Sequence, residues 1–256
     1  MNYKTVILDW AGTTIDFGCF APVAAFKKAF ERAGLRPTIE ETRAPMGMKK
    51  WDHIKKMLRG ERLAAEFAEK YGRASDENDI QRIYDAFETE LFAVLENFTE
   101  PLPGVCETVS LLREKGIKIG STTGYTAEMM EIVAAKAKEY GYAPDCVVTP
   151  DDVCGMGRPY PYMIWKNLRK LEVKNVLDVV KVGDTAADIR EGKNAGCISV
   201  GVVKGSSMLG WTLTEWERAD KATKTEACAK ARRAFLDAGA DVVLNDITEL
   251  AAFLEG

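Results

Sequence analysis

The segment Leu8-Asp9-Trp10-Ala11-Gly12-Thr13-Thr14 follows the first short apolar run of the chain, Val6-Ile7-Leu8. Such a run is typical of a buried β-strand that leads into a tight turn. Asp9 would then stand at the carboxyl end of a parallel strand, where open α/β sheets bind their ligands. The turn Gly12-Thr13-Thr14 could present backbone N–H groups to an anion. The segment therefore predicts an α/β domain with a carboxylate at its binding edge.

Further short apolar runs alternate with helical stretches along the rest of the chain. Each run is bounded by Gly, Pro, Asp or Thr, which mark strand ends. The predicted strands cover residues 6–8, 117–120, 147–148, 179–182, 198–202 and 242–244. Strands that alternate with helices favour a parallel sheet covered by helices. We therefore predict an α/β fold with a Rossmann-like parallel-sheet core.

The stretch from about residue 19 to residue 99 carries no strand signal. Its periodicity predicts helices over residues 22–33, 49–58 and 76–97. An all-helical insert between the first and second strands is the simplest architecture. We expect an α/β domain formed by residues 1–18 and 100–256, and a helical domain formed by residues 19–99. A second helical stretch is predicted over residues 205–240, with no role that the sequence reveals.

Composition narrows the class of protein. The net charge is −4 and no basic stripe is present, so nucleic-acid binding is not expected. No apolar run approaches the roughly 20 residues that span a bilayer. The N-terminus runs directly into a strand and has no signal-peptide pattern. We therefore expect a cytoplasmic protein that has neither a nucleic-acid nor a membrane partner.

Three other segments place reactive residue types beside predicted strand ends. Gly120-Ser121-Thr122-Thr123-Gly124 supplies hydroxyl groups, Gly157-Arg158-Pro159 supplies a cation, and Gly183-Asp184-Thr185-Ala186-Ala187-Asp188 supplies two carboxylates. Phosphoryl transfer needs a nucleophile, a divalent ion, and hydroxyl and cationic groups around the transferred group. Hard oxygen ligands suit Mg²⁺. Each segment alone is weak, because an Asp after a strand is most often a cap, but together the segments predict phosphoryl-transfer chemistry.

In this order and on these strand ends, the four segments resemble the motif set of the haloacid dehalogenase superfamily. The resemblance implies that Asp9 is the nucleophile and a Mg²⁺ ligand. It implies that Thr123 and Arg158 hold the phosphoryl group, with Arg158 where many members carry Lys. Asp184 would be a metal ligand, and Asp188 either a ligand or a partner behind the ligands. The helical insert would be a mobile cap.

Ala11 departs from this pattern. Typical phosphatases of the superfamily carry a second Asp two residues after the nucleophile, as general acid for the leaving alkoxide. The side chain of Ala11 cannot move a proton, although its backbone carbonyl could still bind Mg²⁺. Either the sequence is a degenerate member, or its leaving group needs no proton from this site.

Lys50 offers an alternative leaving-group chemistry. At 100° per residue, Lys50 falls within an apolar stripe of the predicted helix, and His53, the only histidine, falls at the edge of that stripe. The stripe consists of Trp51, Ile54, Met57 and Leu58. An ammonium in apolar surroundings has its pKa lowered by desolvation, which makes it a usable nucleophile. The alternative is that Lys50 extends past the stripe to water, and that His53 is structural.

The combination of Ala11, Lys50 and His53 resembles the phosphonoacetaldehyde hydrolase family. Residues 9–14, 18–22, 45–53, 120–126 and 157–161 carry the resemblance, which runs from about residue 3 to at least residue 207. It implies cleavage of the C–P bond of phosphonoacetaldehyde to acetaldehyde and phosphate, in 2-aminoethylphosphonate degradation. A Lys50 Schiff base and an Asp9 aspartyl-phosphate would carry the reaction, and His53 would move protons.

The same resemblance implies a homodimer and a set of residues that contact the substrate. These residues are Gly124, Tyr125, Cys19 and Met46. From the residues alone, Cys19 and Met46 could equally line the pocket, and Tyr125 could simply pack.

Three other functions compete with this interpretation. A phosphate-ester hydrolase or phosphomutase on the same scaffold is disfavoured by Ala11. A non-catalytic binding protein is disfavoured by the intact Asp9, Thr123, Arg158 and Asp184. A Schiff-base aldolase without phosphoryl transfer would leave the carboxylates unexplained.

Overall fold

The computed structural model describes residues 3–46 and 48–255. Gly47, within the Pro45–His53 stretch that carries part of the family resemblance, lies outside the described residues. The chain forms two compact units, Met1–Cys19 with Thr99–Gly256 and, between them in sequence, Phe20–Phe98. We call them the α/β unit and the helical unit. The sequence placed the corresponding boundaries at residues 18/19 and 99/100.

The α/β unit contains a six-stranded sheet in which every pair of neighbouring strands is parallel. The strands are β1 (Thr5–Leu8), β2 (Lys118–Thr122), β3 (Cys146–Val148), β4 (Val179–Gly183), β5 (Ile198–Val202) and β6 (Val242–Leu244). Each predicted strand is present. The order β3-β2-β1-β4-β5-β6 changes direction between β1 and β4. Ligands of such sheets bind at the carboxyl ends of the strands beside this switch point. The predicted α/β fold with a Rossmann-like core is confirmed.

The helical unit contains α1 (Phe20–Arg32), α2 (Ile39–Arg43), α3 (Lys50–Leu58), α4 (Glu61–Tyr71) and α5 (Glu77–Val94), followed by a 3₁₀ turn over Leu95–Phe98. The three predicted helices correspond to α1, α3 and α5. The prediction missed α2 and α4. The short helix α2 starts at a capping box formed by Thr38 and Glu41, a signal that the sequence contained. Only Leu63 and Phe67 are buried in α4, so its apolar stripe was too sparse to reveal it.

The remaining helices belong to the α/β unit. They are α6 (Val105–Glu114), α7 (Ala127–Glu139), α8 (Tyr162–Lys170), α9 (Ala186–Ala195), α10 (Leu213–Arg218), α11 (Lys221–Asp237) and α12 (Leu250–Glu255). The predicted 205–240 helical stretch is therefore the pair α10 and α11, and residues 205–212 are not helical. Phe235 of α11 is fully buried in a cluster with Ile189, Val203 and Val243. The stretch thus covers one end of the sheet. Among the described residues, no helix is both long and apolar enough to cross a bilayer.

Candidate active site

Asp9 lies directly after the central strand β1 and is almost completely buried. Its backbone N–H donates to the carbonyl of Val182 on β4 (3.0 Å), and its own carbonyl accepts from the Thr14 hydroxyl (2.9 Å). Burial raises the pKa of the Asp9 carboxyl above its usual value, although the charge of Arg158 acts in the opposite direction. The backbone bonds anchor Asp9 on both sides, so that its carboxylate stands at the switch point of the sheet.

Asp184 follows β4 and approaches the Asp9 loop closely. Its Oδ2 accepts a hydrogen bond from the backbone N–H of Ser207 (2.8 Å). A Cβ at Gly12 would lie 2.3 Å from that oxygen, and Gly12 has a φ of +84°. Gly12 therefore fits both the left-handed backbone of the turn and the space left by Asp184. Burial, and then the charges of Asp9 and Asp188, raise the pKa of Asp184 well above its usual range.

Asp188 sits in the first turn of α9, where it completes a capping box with Thr185. Its Oδ2 accepts from the Thr185 hydroxyl (2.5 Å) and backbone N–H (3.2 Å), and its Oδ1 lies 2.8 Å from Lys181 Nζ and 3.0 Å from Arg158 Nη1. Burial alone would raise the pKa of Asp188, but the cations Arg158 and Lys181 lower it. Both oxygens thus already have strong partners, which favours a supporting position for Asp188.

Arg158 contacts Asp9, Asp188 and a third carboxylate, Glu191. Its Nη2 donates to Asp9 Oδ1 and to the Thr122 carbonyl (2.9 Å), and its Nε donates to Glu191 Oε2 (3.1 Å). The guanidinium is thus held along its Nε edge and its Nη edge. Desolvation would lower the pKa of Arg158, but the charges of Asp188, Asp9 and Glu191 raise it, so the side chain stays cationic.

The donor set fits a divalent metal ion. Carboxylate oxygens of Asp9, Asp184 and Asp188 all lie within 4.8 Å of one another. With Glu191 the cluster holds four carboxylates against two cations, Arg158 and Lys181, so it carries two excess negative charges when all groups are ionised. A buried excess of this kind favours a hard cation with oxygen ligands.

The residues after β2 lie in the same unit. Thr123 is buried, and its hydroxyl oxygen accepts from the backbone N–H of Tyr125 (3.1 Å). Gly124 is exposed, with no atom within 4 Å of an added Cβ. Tyr125 is buried, and burial followed by the charge of Asp16 raises the pKa of its phenol well above the usual value. Cys19, also buried, is a further contributor to that shift.

The expectation for the Gly12-Thr13-Thr14 turn was wrong. The N–H of Gly12 donates to Ile15 O (2.8 Å), and those of Thr13 and Thr14 donate to Trp10 O (3.1 and 2.8 Å). These three amides are used inside the turn and are not directed at an anion. Hydrogen bonds from this loop to an anion would therefore have to come from the backbone N–H groups of Trp10 and Ala11, the residues that precede the turn.

In the helical unit, α3 begins at Lys50. The Lys50 Nζ lies 5.7 Å from the centroid of the Phe26 ring. His53, predicted at the edge of the apolar stripe, is completely buried and stacks on the same ring, with centroids 4.0 Å apart. Trp51, predicted within the stripe, is only half-buried and contacts Lys55. Met46 is half-buried in the turn that precedes α3.

The protonation state of His53 follows from its contacts. Its Nε2 lies 2.8 Å from the Thr42 carbonyl oxygen, which can only accept, so Nε2 carries a proton. Its Nδ1 is buried without a hydrogen-bond partner among residues 3–46 and 48–255. Burial, and then the charge of Lys50, lower the pKa of His53 to about 3. The imidazole is therefore neutral, with a lone pair on Nδ1.

Sequence reasoning missed three residues of the α/β cluster. Lys181 on β4 and Glu191 on α9 are completely buried and lie 3.6 Å apart (Nζ to Oε2), and Ser207 binds Asp184. Lys181 interrupts an apolar strand, Val179-Val180-Lys181-Val182, and that interruption was the available signal. Glu191 and Ser207 carried none, because a Glu in a helix and a Ser in a loop are ordinary surface residues.

Comparisons with known proteins agree with this geometry. Residues 3–196 match the family model described as haloacid dehalogenase-like hydrolase. Phosphonoacetaldehyde hydrolase of Bacillus cereus (strain G9842) is 46% identical over 255 residues, which cover 100% of this chain and 96% of the relative. The bifunctional phosphonoacetaldehyde hydrolase/aminoethylphosphonate transaminase of Clostridioides difficile (strain 630) is 47% identical over 98% of this chain and 39% of the relative.

A crystal structure of a phosphonoacetaldehyde hydrolase-like protein from Oleispira antarctica superposes with a TM-score of 0.95 at 37% identity, and covers 100% of this chain and 92% of that one. The fold, the family model and the site together define a haloacid dehalogenase-like hydrolase. Identity of 46% over the full chain to a phosphonoacetaldehyde hydrolase narrows the family assignment further. The chain belongs to the phosphonoacetaldehyde hydrolase family within the haloacid dehalogenase-like hydrolases.

Proposed function

We propose that this chain hydrolyses the C–P bond of phosphonoacetaldehyde to acetaldehyde and phosphate. The observation that carries the proposal is the 46% identity, over the whole chain, to relatives named for this reaction. Ala11 supports it independently, because its side chain cannot protonate the alkoxide that a phosphate ester would release. The phosphate-ester hydrolase or phosphomutase stays the second candidate.

In the proposed reaction, the Lys50 amine attacks the aldehyde carbon, and loss of water leaves a protonated imine. An Asp9 oxygen then attacks phosphorus. As the C–P bond breaks, its electron pair enters the carbon chain, with the iminium nitrogen as the electron sink, and an enamine leaves instead of a bare carbanion. The enamine carbon takes a proton, and water hydrolyses the imine to acetaldehyde and the free Lys50 amine. A second water cleaves the aspartyl-phosphate.

His53 is proposed to move protons around the Lys50 imine, three residues away on the same helix. The neutral imidazole, with Nε2–H bound to the Thr42 carbonyl, has the lone pair of Nδ1 available for this role. Burial, and then the charge of Lys50, lower the pKa of His53 to about 3, so His53 would pass a proton on rather than hold it.

We propose Mg²⁺ as the metal ion, held by Asp9, Asp184 and the Ala11 carbonyl, with Asp188 supporting them. When bound, the ion would neutralise charge on the phosphoryl oxygens. Arg158 and the Thr123 hydroxyl would hold the same oxygens, and Arg158 would also orient the Asp9 carboxylate. Gly124, Tyr125, Cys19 and Met46 are proposed to contact the substrate.

We further propose that the aldehyde comes from 2-aminoethylphosphonate by transamination. The name of the Clostridioides difficile relative joins these two activities in one protein, which supports a shared route. The homodimer expected from the family resemblance and the cytoplasmic location expected from the sequence stay predictions. Light scattering after size-exclusion chromatography would test the dimer.

The test is acetaldehyde and phosphate release from phosphonoacetaldehyde, with and without Mg²⁺, beside p-nitrophenyl phosphate. We expect equal amounts of the two products, dependence on Mg²⁺, and no comparable cleavage of the ester. Ester cleavage without acetaldehyde would retain the family and refute the proposed substrate.

A further inference from the structure

Glu191 has no part in the proposed steps, yet it is completely buried beside them. Its Oε2 accepts hydrogen bonds from Arg158 Nε (3.1 Å) and the Thr122 hydroxyl (3.0 Å), and lies 3.6 Å from Lys181 Nζ. No contact joins Glu191 to Asp9 among the hydrogen bonds and ion pairs of the described residues. Glu191 therefore acts on Asp9 through Arg158, and it reaches Asp188 through both Arg158 and Lys181.

Burying the ion pair of Lys181 and Glu191 costs free energy of folding. Replacing a buried ion pair by apolar residues of similar size is often neutral or stabilising, so the pair Lys181–Glu191 is weak as a purely structural device. The packing around it is nevertheless specific. A Cβ at Gly192 would lie 2.9 Å from Lys181 Cβ and 2.2 Å from Ser199 Oγ. Glycine at 192 lets α9 approach β4 closely enough to bury the lysine stem.

Arg158 is held differently along its two edges. The Nε edge meets Glu191, while the two Nη groups meet Asp9, Asp188 and the Thr122 carbonyl. The Nη groups are thus the part of the guanidinium that faces the nucleophile. A lysine has a single nitrogen and cannot bond at both edges in this way. The geometry gives a physical reason for arginine at this position.

We propose that Glu191 is a positioning residue for Arg158, with Lys181 as its counter-ion. Glu191 fixes the Nε edge so that the Nη groups point at the phosphoryl group on Asp9. The inference rests on the proposed function, because it assigns Arg158 to that group. It predicts that the contribution of Glu191 disappears when residue 158 is not arginine.

A double-mutant cycle tests this dependence. Glu191→Met removes the acceptor, and Lys181 keeps Asp188 as a partner (2.8 Å). We expect Glu191→Met to lower kcat/KM for phosphonoacetaldehyde about 10- to 100-fold, as loss of an orienting partner does. In an Arg158→Lys background, the same substitution should change kcat/KM by less than about twofold. Additive losses in the two backgrounds would overturn the proposal.

The same cycle should be measured with inorganic phosphate, by titration calorimetry of its binding. Phosphate binding separates the hypothesis about Glu191 from the hypothesis about the substrate, because it does not require turnover. If the effects of the two substitutions on phosphate binding are additive and the enzyme releases acetaldehyde, only the proposed role of Glu191 is refuted. If the effects on phosphate binding are non-additive and the protein releases no acetaldehyde, the role of Glu191 is supported and the proposed substrate is refuted.

Two control variants distinguish the proposed positioning role from a general effect of the substitution on folding. Glu191→Gln keeps an acceptor of the same length and should recover much of the loss, whereas a volume-filling role would make Gln and Met equivalent. Glu90→Met is the matched control, because Glu90 is a buried carboxylate paired with Lys28 and Arg32 in the helical unit. It should leave kcat/KM and phosphate binding unchanged in both Arg158 backgrounds.

Discussion

The ionisable groups proposed to react have different surroundings in the two units. In the α/β unit, Arg158 and Lys181 are buried among carboxylates, and each charge faces an opposite one. In the helical unit, Lys50 and His53 lie against the ring of Phe26, which itself stacks on Phe87 with centroids 4.1 Å apart. The first environment compensates each charge with an opposite one, and the second surrounds a neutral imidazole with aromatic rings.

This difference matches the two chemistries proposed. A phosphoryl group needs fixed charges around it, since electrostatic stabilisation depends on groups that do not reorganise. An amine nucleophile needs the opposite, because only its uncharged form can attack. Protonation is controlled by partners in one unit, as for Asp188, and by desolvation in the other, as for His53.

The largest expected effect is at the centre of the charged cluster. Asp9→Ala should lower phosphate release by about 10⁴-fold or more, as removal of a covalent nucleophile does. The Lys50 imine should still form, because it depends on the helical unit. Borohydride with phosphonoacetaldehyde should therefore still give a covalent adduct of Asp9→Ala by mass spectrometry. Substantial residual phosphate release would refute the aspartyl-phosphate.

Lys50→Arg is the matching change in the apolar environment. It keeps the positive charge but removes the amine nucleophile, so we expect acetaldehyde release to fall by several orders of magnitude, as removal of a catalytic residue does, and we expect no borohydride adduct. Phosphate binding should persist, since the α/β cluster is intact. Lys49→Arg, on an exposed neighbour, is the control and should behave as wild type. An adduct that survives in Lys50→Arg would exclude Lys50 as the imine former.

Metal addition should affect only the charged cluster. Mg²⁺ at about 100 times its dissociation constant should raise the free energy of unfolding by about 2.7 kcal/mol. Asp184→Asn removes one of the like charges and a proposed ligand, and should abolish this increase. Urea unfolding with and without Mg²⁺ measures both values. The proposed metal site fails if the variant gains as much as wild type.

The smallest expected effect concerns His53, the only histidine. Its pKa is about 3 in the folded protein against an ordinary value of 6.5. Between these values the unfolded chain binds the proton and the folded chain does not. Stability from this group is therefore complete above pH 6.5 and decreases as the pH falls towards 3, by about 1.4 kcal/mol per pH unit.

Urea unfolding of wild type and His53→Gln between pH 5 and 6.5 measures this slope. The variant should lack it, while Gln can still donate to the Thr42 carbonyl. Equal slopes in the two proteins would mean that His53 is protonated in the folded chain.

The sequence by itself determined the fold class and much of the candidate cluster. Asp9, Thr123 and Asp184 follow strands, and the carboxyl ends of parallel strands meet at one edge of a sheet, so the convergence of Asp9 with Asp184 could be predicted. Ala11 and the 3.6-residue periodicity around Lys50 were equally readable, because each is a local pattern.

Only the tertiary structure decided the partners of these residues. The pairing of Glu191 with Arg158, the close approach of Gly12 to Asp184, and the inward turn of the Gly12 to Thr14 amides depend on distances between separate elements. Local periodicity carries no information about such distances. Burial of a charge is likewise a property of the packed chain, which is why Lys181 was an anomaly in the sequence and became a counter-ion in the fold.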